Sequence, residues 1–233
     1  MTVKNRIIGL LALLGASATA LSAAEIITLT TSVFARIQDR PTLGGTGGNA
    51  DVLNTSPGTL YVGDHNNNND VYHVAYAFDL QGQDWSNLPP DSTFILRVQI
   101  TGVTESGWPS ISLWHVPNFS SGTFTTGVIV GGTLVATRDT SAISGNNSWE
   151  LDFDVTSFVL SDIAAGNRTH AAFRLSPTSP LANNGNGVAD RLIFSATPQI
   201  IVSSSQIPEP AHAALIGGVA AAAFPLLRRR RAG

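Results

Sequence analysis

The sequence predicts an all-β protein, a two-sheet β-sandwich or jelly roll, and three observations carry that prediction. Apolar and polar residues alternate with period two in short runs, those runs are separated by Gly, Pro and Asn clusters, and no helical periodicity of useful length occurs between Glu25 and Ser205. Composition agrees: the 233 residues include 22 Gly and 12 Pro, only 12% are charged, and Lys4 is the sole lysine. With 43% hydrophobic residues the chain has ample material for one good-sized core.

Taken in order, the predicted strands are "IITLT", "SVFARI", "VYHVAYAFDL", "TFILRVQIT", "ISLWHV", "VIVGGTLVATR", "WELDFDV", "HAAFRLS", "RLIFSA" and "QIIVS". In the third, Tyr72, Val74, Tyr76, Phe78 and Leu80 point one way while Val71, His73, Ala75, Ala77 and Asp79 point the other. In the fourth, Phe94, Leu96, Val98 and Ile100 oppose Ile95, Arg97, Gln99 and Thr101. Each is expected to bury one face. One short helix is expected at "TSFVLSDIAAGN", started by a cap at Thr156 or Ser157 and stopped at Gly166. About ten short strands divided by turn chemistry fit a sandwich better than any helical architecture.

Charge and cysteine content narrow the function. Between Glu25 and Gln206 seven arginines face fifteen acidic residues, a net charge of −8, which repels nucleic acid and anionic headgroups. The absence of cysteine excludes disulfides, thiol catalysis and zinc–thiolate sites.

The two ends carry addresses. In "MTVKNRIIGLLALLGASATALSAAE", Lys4 and Arg6 precede an apolar run from Ile7 to Leu14 and then small residues, the pattern of a secretory signal peptide over residues 1–24, with acceptable cleavage points after Ala20 or Ala24. A linker, 204–207, leads to the other end. Residues 211–227 form an apolar stretch that spans about 25 Å as a helix at ~1.5 Å per residue, just enough for a single transmembrane pass. Arg228, Arg229, Arg230 and Arg231 hold its far end on the cytoplasmic side as a membrane stop. Pro208 and Pro210 keep Ile207 and Glu209 extended and accessible in front of it.

This order of Pro208, Glu209 and Pro210, a small-residue helix and an arginine cluster over 208–231 resembles the PEP-CTERM sorting signal of Gram-negative bacteria. The resemblance implies recognition by an exosortase, transient anchoring in the membrane, and delivery to the cell surface or an exopolysaccharide matrix. The middle, from Ser32 to Val202, is similar to the DNRLRE-type jelly-roll domains grouped with carbohydrate-binding modules. The likeness rests on "LYVG", an Asn-rich loop, "AYAFDL", "STFILRVQI", "WELDFDVTSFV" and "FSATPQIIV", with Tyr72 and His73 standing where those domains carry paired arginines. It implies a jelly roll and polysaccharide binding.

Catalytic constellations are scarce. There is no Gly-x-Ser-x-Gly elbow and no His-Glu-x-x-His helix. Glu150, Asp152 and Asp154 share one face of one strand, the pattern of a solvated outer face or, as a remote alternative, of a glycan hydrolase or lyase. His65, His73, His115 and His170 lack ligand spacing for a transition metal. In "GDHNNNND", Asp64, Asn66, Asn68 and Asp70 recur at every second position, as oxygen ligands do along a calcium loop. Two readings stand: a weak Ca²⁺ site, or a polar hairpin loop whose Asn residues satisfy backbone groups. Trp85 and Trp108 lie in loops, where their rings would stack on sugars or plug a sandwich end, while Trp114 and Trp149 are expected in the core. The expectation is a non-enzymatic, secreted surface protein without a required cofactor that binds polysaccharide, or else a structural or adhesive matrix protein that binds protein or itself.

Overall fold

A computed structural model describes residues 24–39, 52–65, 70–104, 110–117, 119, 122–125, 131–143, 148–166, 168–178 and 191–204. Glu25–Ser203 makes one compact unit. The expected signal peptide, Pro208–Glu209–Pro210, the apolar stretch 211–227 and Arg228–Arg231 lie outside the described residues, apart from Ala24. Among the described residues no helix is long and apolar enough to cross a membrane.

Eleven strands follow one another: β1 (Ala24–Asp39), β2 (Val52–Asn54), β3 (Leu60–His65), β4 (Asp70–Asp79), β5 (Thr93–Val103), β6 (Ser110–His115), β7 (Thr133–Asp139), β8 (Trp149–Asp154), β9 (His170–Pro177), β10 (Arg191–Phe194) and β11 (Gln199–Ser204). Among the described residues one α-helix, α1 (Thr156–Ala164), follows β8, and one 3₁₀ turn spans Trp85–Asn87.

The strands form one continuous antiparallel sheet, where the sequence led us to expect two. Its order is β2-β1-β11-β5-β10-β3-β4-β9-β6-β7, with β8 on the free side of β5 and β1 pairing again with β4. The pairings β1–β11–β5–β10–β3–β4–β1 therefore close a ring. Two devices make the closure. First, "IITLT" and "SVFARI" are one 16-residue strand rather than two, and its register slips between Thr31 and Val33. Thr31 Oγ1 lies 3.1 Å from both the Val33 and Ala77 carbonyls and Ser32 Oγ donates to Ala77 O at 3.1 Å, so hydroxyls occupy acceptors that the bulge displaces. Second, β3 turns a corner at Gly63, which faces Arg191 of β10 on one side and Tyr72 of β4 on the other. Its φ of 140° is a conformation that side-chain-bearing residues rarely adopt.

Folding the sheet over brings its apolar faces together. Phe94, Leu96, Val98 and Ile100 of β5 pack in one cluster with Val74, Tyr76 and Phe78 of β4 and Phe173 and Leu175 of β9, and Phe153 of β8 joins them. The expected alternation in β5 is present, its inward residues buried and the opposite set partly or fully exposed. At about 1.5–3 kcal/mol for each large side chain removed from water, this cluster is the main source of stability in a cysteine-free domain.

In β4 the expectation of a single buried face fails. Tyr72, Val74, Tyr76, Phe78 and Leu80 are buried, but so are His73, Ala75 and Ala77. That second face forms a smaller cluster with Ala35, Ile37 and Ala172 beneath Phe119 and Phe124. The small alanines, which read as an undistinguished outer face, are what let a second layer approach closely.

Helix α1 starts one residue earlier than a Thr156 cap would place it. Val155 occupies the cap position without a side-chain bond, and Asp154 Oδ1 accepts the Thr156 N–H at 3.0 Å instead. The Thr156 hydroxyl is engaged elsewhere, accepting the Phe94 N–H at 2.9 Å. Gly166, at φ 66°, ends the helix as expected.

Candidate functional site

The expected stacking residue Trp85 sits half-buried at one end of the core. Its Nε1–H donates to Leu80 O at 2.8 Å and its ring lies 6.1 Å from that of Phe94, so it is held as a plug with its donor occupied. Trp108 lies outside the described residues, as do Asn66 and Asn68. The backbones of Asp64 and Asp70 belong to the β3–β4 hairpin, Asp64 opposite Val71 and His65 opposite Asp70. Trp149, expected in the core, is 38% exposed at the start of β8. It is the first residue of the strand. Trp114 is only half-buried and lies under the Arg174 guanidinium, 5.4 Å from its ring centre.

Two of the three acids of β8 share one arginine and the third meets a helix start. Asp152 accepts both Nε and Nη2 of Arg97 at 2.8 Å, Glu150 stands 3.4 Å from the same guanidinium, and Asp154 holds the start of α1. The Arg97 hydrogen bond lowers the Asp152 pKa, and the charges of Arg97 and Arg138 add to that. A carboxylate so held is a poor general acid at neutral pH. Among the described residues no three His, Asp or Glu side chains gather as a metal site.

Two polar clusters appear that the linear sequence did not reveal. His115 Nε2 is 2.8 Å from Asp162 Oδ2, and Arg168 donates to the other carboxylate oxygen. Burial, reinforced by the Arg168 charge, lowers the His115 pKa to about 4. Neutral His115, carboxylate and guanidinium thus anchor α1 to β6. On the opposite face of the same sheet region, His73 Nδ1 is 2.9 Å from Ser176 Oγ, which also accepts Arg174 Nε–H at 3.0 Å. The Ser176 hydroxyl donates to His73 Nδ1 in one ring tautomer and accepts from it in the other. That bond resembles a nucleophile–base pair. The guanidinium draws on the same oxygen, however, and His73 and Ser176 are 9% and 5% exposed, so the arrangement fixes β4 to β9 and offers no entry to a substrate. Burial first, and Arg174 second, lower the His73 pKa to about 3.

The most distinctive surface feature is built where β1, β3, β4 and β10 meet. The Tyr61 ring has the Arg36 guanidinium carbon 4.5 Å and the Arg191 guanidinium carbon 4.6 Å from its centre. Tyr72 meets it edge-on at 4.6 Å and takes Arg36 at 5.6 Å. Tyr61, Arg36 and Arg191 are all partly exposed. Arg36 Nη1 donates to Thr59 O at 3.0 Å, and neither arginine has a carboxylate partner among the described residues. Beyond the cluster, Ile193 of β10 stands between Tyr61 and Gly102 of neighbouring strands. A Cβ on Gly102 would meet Ile193 Cδ1 at 3.3 Å, so this glycine keeps the surface low beside the cluster. Thr101 and Gln99 continue it as exposed polar groups. The sequence offered a faint signal, an acidic domain with few arginines, but only the fold brings positions 36, 61 and 191 together. No protein-family model matches the chain, and no curated protein matches it in sequence.

Proposed function

We propose that this is an exported protein of the cell surface or exopolysaccharide matrix of a Gram-negative-type bacterium, whose jelly-roll-like β domain binds polysaccharide without catalysing a reaction on it. The reading of destination rests on the two terminal addresses. An exosortase would act at Pro208–Glu209–Pro210 while the 211–227 stretch and Arg228–Arg231 hold the chain in the membrane. The observation that carries binding is the partly exposed Arg36–Tyr61–Arg191 cluster. Each guanidinium presents a planar fork of N–H donors suited to hydroxyl and oxyanion acceptors, and stacking on Tyr61 holds both forks in place before a ligand arrives. Preorganisation of this kind lowers the entropic cost of binding.

A glycan array together with co-sedimentation of the full-length protein and the producing organism's own exopolysaccharide tests this. Retention on at least one glycan is expected. Blank results in both, with self-association in light scattering, would replace this reading with that of an adhesive protein that binds itself.

A further inference from the structure

We infer that the Arg36–Tyr61–Arg191 cluster selects carboxylate-bearing sugars, so that the polysaccharide bound is an acidic, uronate-containing one. This deepens the polysaccharide reading and rests on it. The argument is one of charge placement. Two guanidiniums that lie 4.5 and 4.6 Å from one ring centre are at most about 9 Å apart. Like charges at that separation repel each other, and near a protein surface solvent screens the repulsion only in part.

The cost is avoidable, because the domain has acids to spare. Fifteen acidic residues accompany seven arginines between Glu25 and Gln206, and elsewhere the fold matches its arginines with acceptors. Arg97 has Asp152 and Glu150, Arg168 has Asp162, and Arg138 donates to the Asp152 carbonyl at 2.8 Å. Only at Tyr61 are two arginines set side by side at the surface with no carboxylate between them among the described residues. A carboxylate arriving from outside would relieve the repulsion and take charge-assisted, fork-shaped hydrogen bonds. A uronate ring supplies that carboxylate on a scaffold whose hydroxyls can hydrogen-bond the remaining N–H donors of the two guanidiniums. The surrounding negative potential, which disfavours polyanions in general, makes the cluster the one described place where a polyanionic chain gains by docking.

The test uses the full-length protein and matched polymers: polygalacturonate, its fully methyl-esterified form, dextran sulfate and neutral dextran. Polygalacturonate is expected to bind at least tenfold more tightly than its ester, with affinity falling as salt shortens the Debye length from ~30 Å at 0.01 M to ~3 Å at 1 M. Arg191→Gln is expected to weaken polygalacturonate binding about ten- to hundredfold while leaving ester binding within twofold. Arg191→Lys, which keeps the charge and loses the fork, is expected to fall between. Arg191 is partly exposed and makes no side-chain hydrogen bond among the described residues, so these variants should melt with the parent; Arg36→Gln is a second probe.

Equal binding of free acid and ester, or an Arg191→Gln protein with unchanged polygalacturonate affinity, overturns the inference and leaves polysaccharide binding standing. Tighter binding of dextran sulfate than of polygalacturonate also overturns it, in favour of a general polyanion site. Failure of all four polymers and of the producer's own exopolysaccharide overturns the polysaccharide reading itself.

Discussion

Acidification should loosen this domain well before its carboxylates titrate, and two buried histidines, His73 and His115, are the reason. The His73 side chain is 9% exposed, bonded to Ser176 at 2.9 Å and faced by the Arg174 guanidinium, so the fold holds its pKa near 3 rather than the ordinary 6.5. A depressed histidine pKa means that the unfolded chain takes up the proton first, so stability is complete above pH 6.5 and falls as pH drops toward the folded value. The slope is about 1.4 kcal/mol per pH unit for each such group. Between pH 7 and pH 5 His73 then contributes a loss of about 2 kcal/mol. His115, depressed to about 4, contributes a loss of similar size over the same interval. Together they remove about 4 kcal/mol from a fold whose total stability is of order 5–15 kcal/mol. For a domain of this size that lowers the melting temperature by roughly 8–16 °C.

The assay is urea unfolding at constant ionic strength from pH 7.5 to 4.5, with the wild type compared against His73→Gln and His115→Gln. Each variant starts less stable, but its stability should vary with pH less steeply, by about 1.4 kcal/mol per unit below pH 6.5. A His73→Gln curve parallel to the wild type would refute the argument, because it would mean that the buried ring is not excluded from protonation.

Two further perturbations probe the same architecture. Asp162→Asn leaves Arg168 facing a neutral amide inside the fold and should cost about 3–5 kcal/mol in urea unfolding, with loss of α1 protection in hydrogen exchange; a change below 1 kcal/mol would mean that α1 is held by Val159 packing alone. Gly132→Ala places a Cβ 2.7 Å from the His115 carbonyl at φ 114°, whereas Gly131→Ala at φ 93° meets nothing within 4 Å, so the first should lower the melting temperature clearly more than the second. Equal shifts would show that backbone strain, common to both, dominates over the clash.

Much of the fold was legible because its signals are local. Strand alternation in β5, the helix at Thr156–Ala164 and its Gly166 stop depend on neighbours a few residues away. What stayed hidden depends on partners far along the chain. Nothing near Thr31 announces that β1 will serve both β11 and β4, since the bulge is stabilised by Ala77, 46 residues on. Burial of both faces of β4 was missed because Ala75 and Ala77 suit an exposed face as well as a tight one. His73 and Ser176 are 103 residues apart, and the Arg36–Tyr61–Arg191 cluster draws on three strands. The histidines lacked ligand spacing in the sequence, and in the fold His73 and His115 pair with a hydroxyl and a carboxylate instead.

The closure of the sheet also bears on how such a domain would join a matrix. Among the described residues the ends of this sheet are β2, β7 and β8, the last lying along the edge of β5 that β10 and β11 leave free. Each is blunted. β2 is three residues long. β7 carries Arg138 and Asp139, and β8 alternates Glu150, Asp152 and Asp154 along its outer face. Moreover, Arg138 Nε and Nη2 donate to the Asp152 carbonyl at 3.1 and 2.8 Å and so occupy an acceptor that an incoming strand would need. Charged, short and capped edges are the devices by which β proteins avoid pairing with copies of themselves. Assembly by strand addition is therefore opposed by the same residues that solubilise the domain. If the domain joins a matrix as proposed, the contact would be made by a face, and among the described residues the face carrying Arg36, Tyr61 and Arg191 holds two arginines without a carboxylate partner.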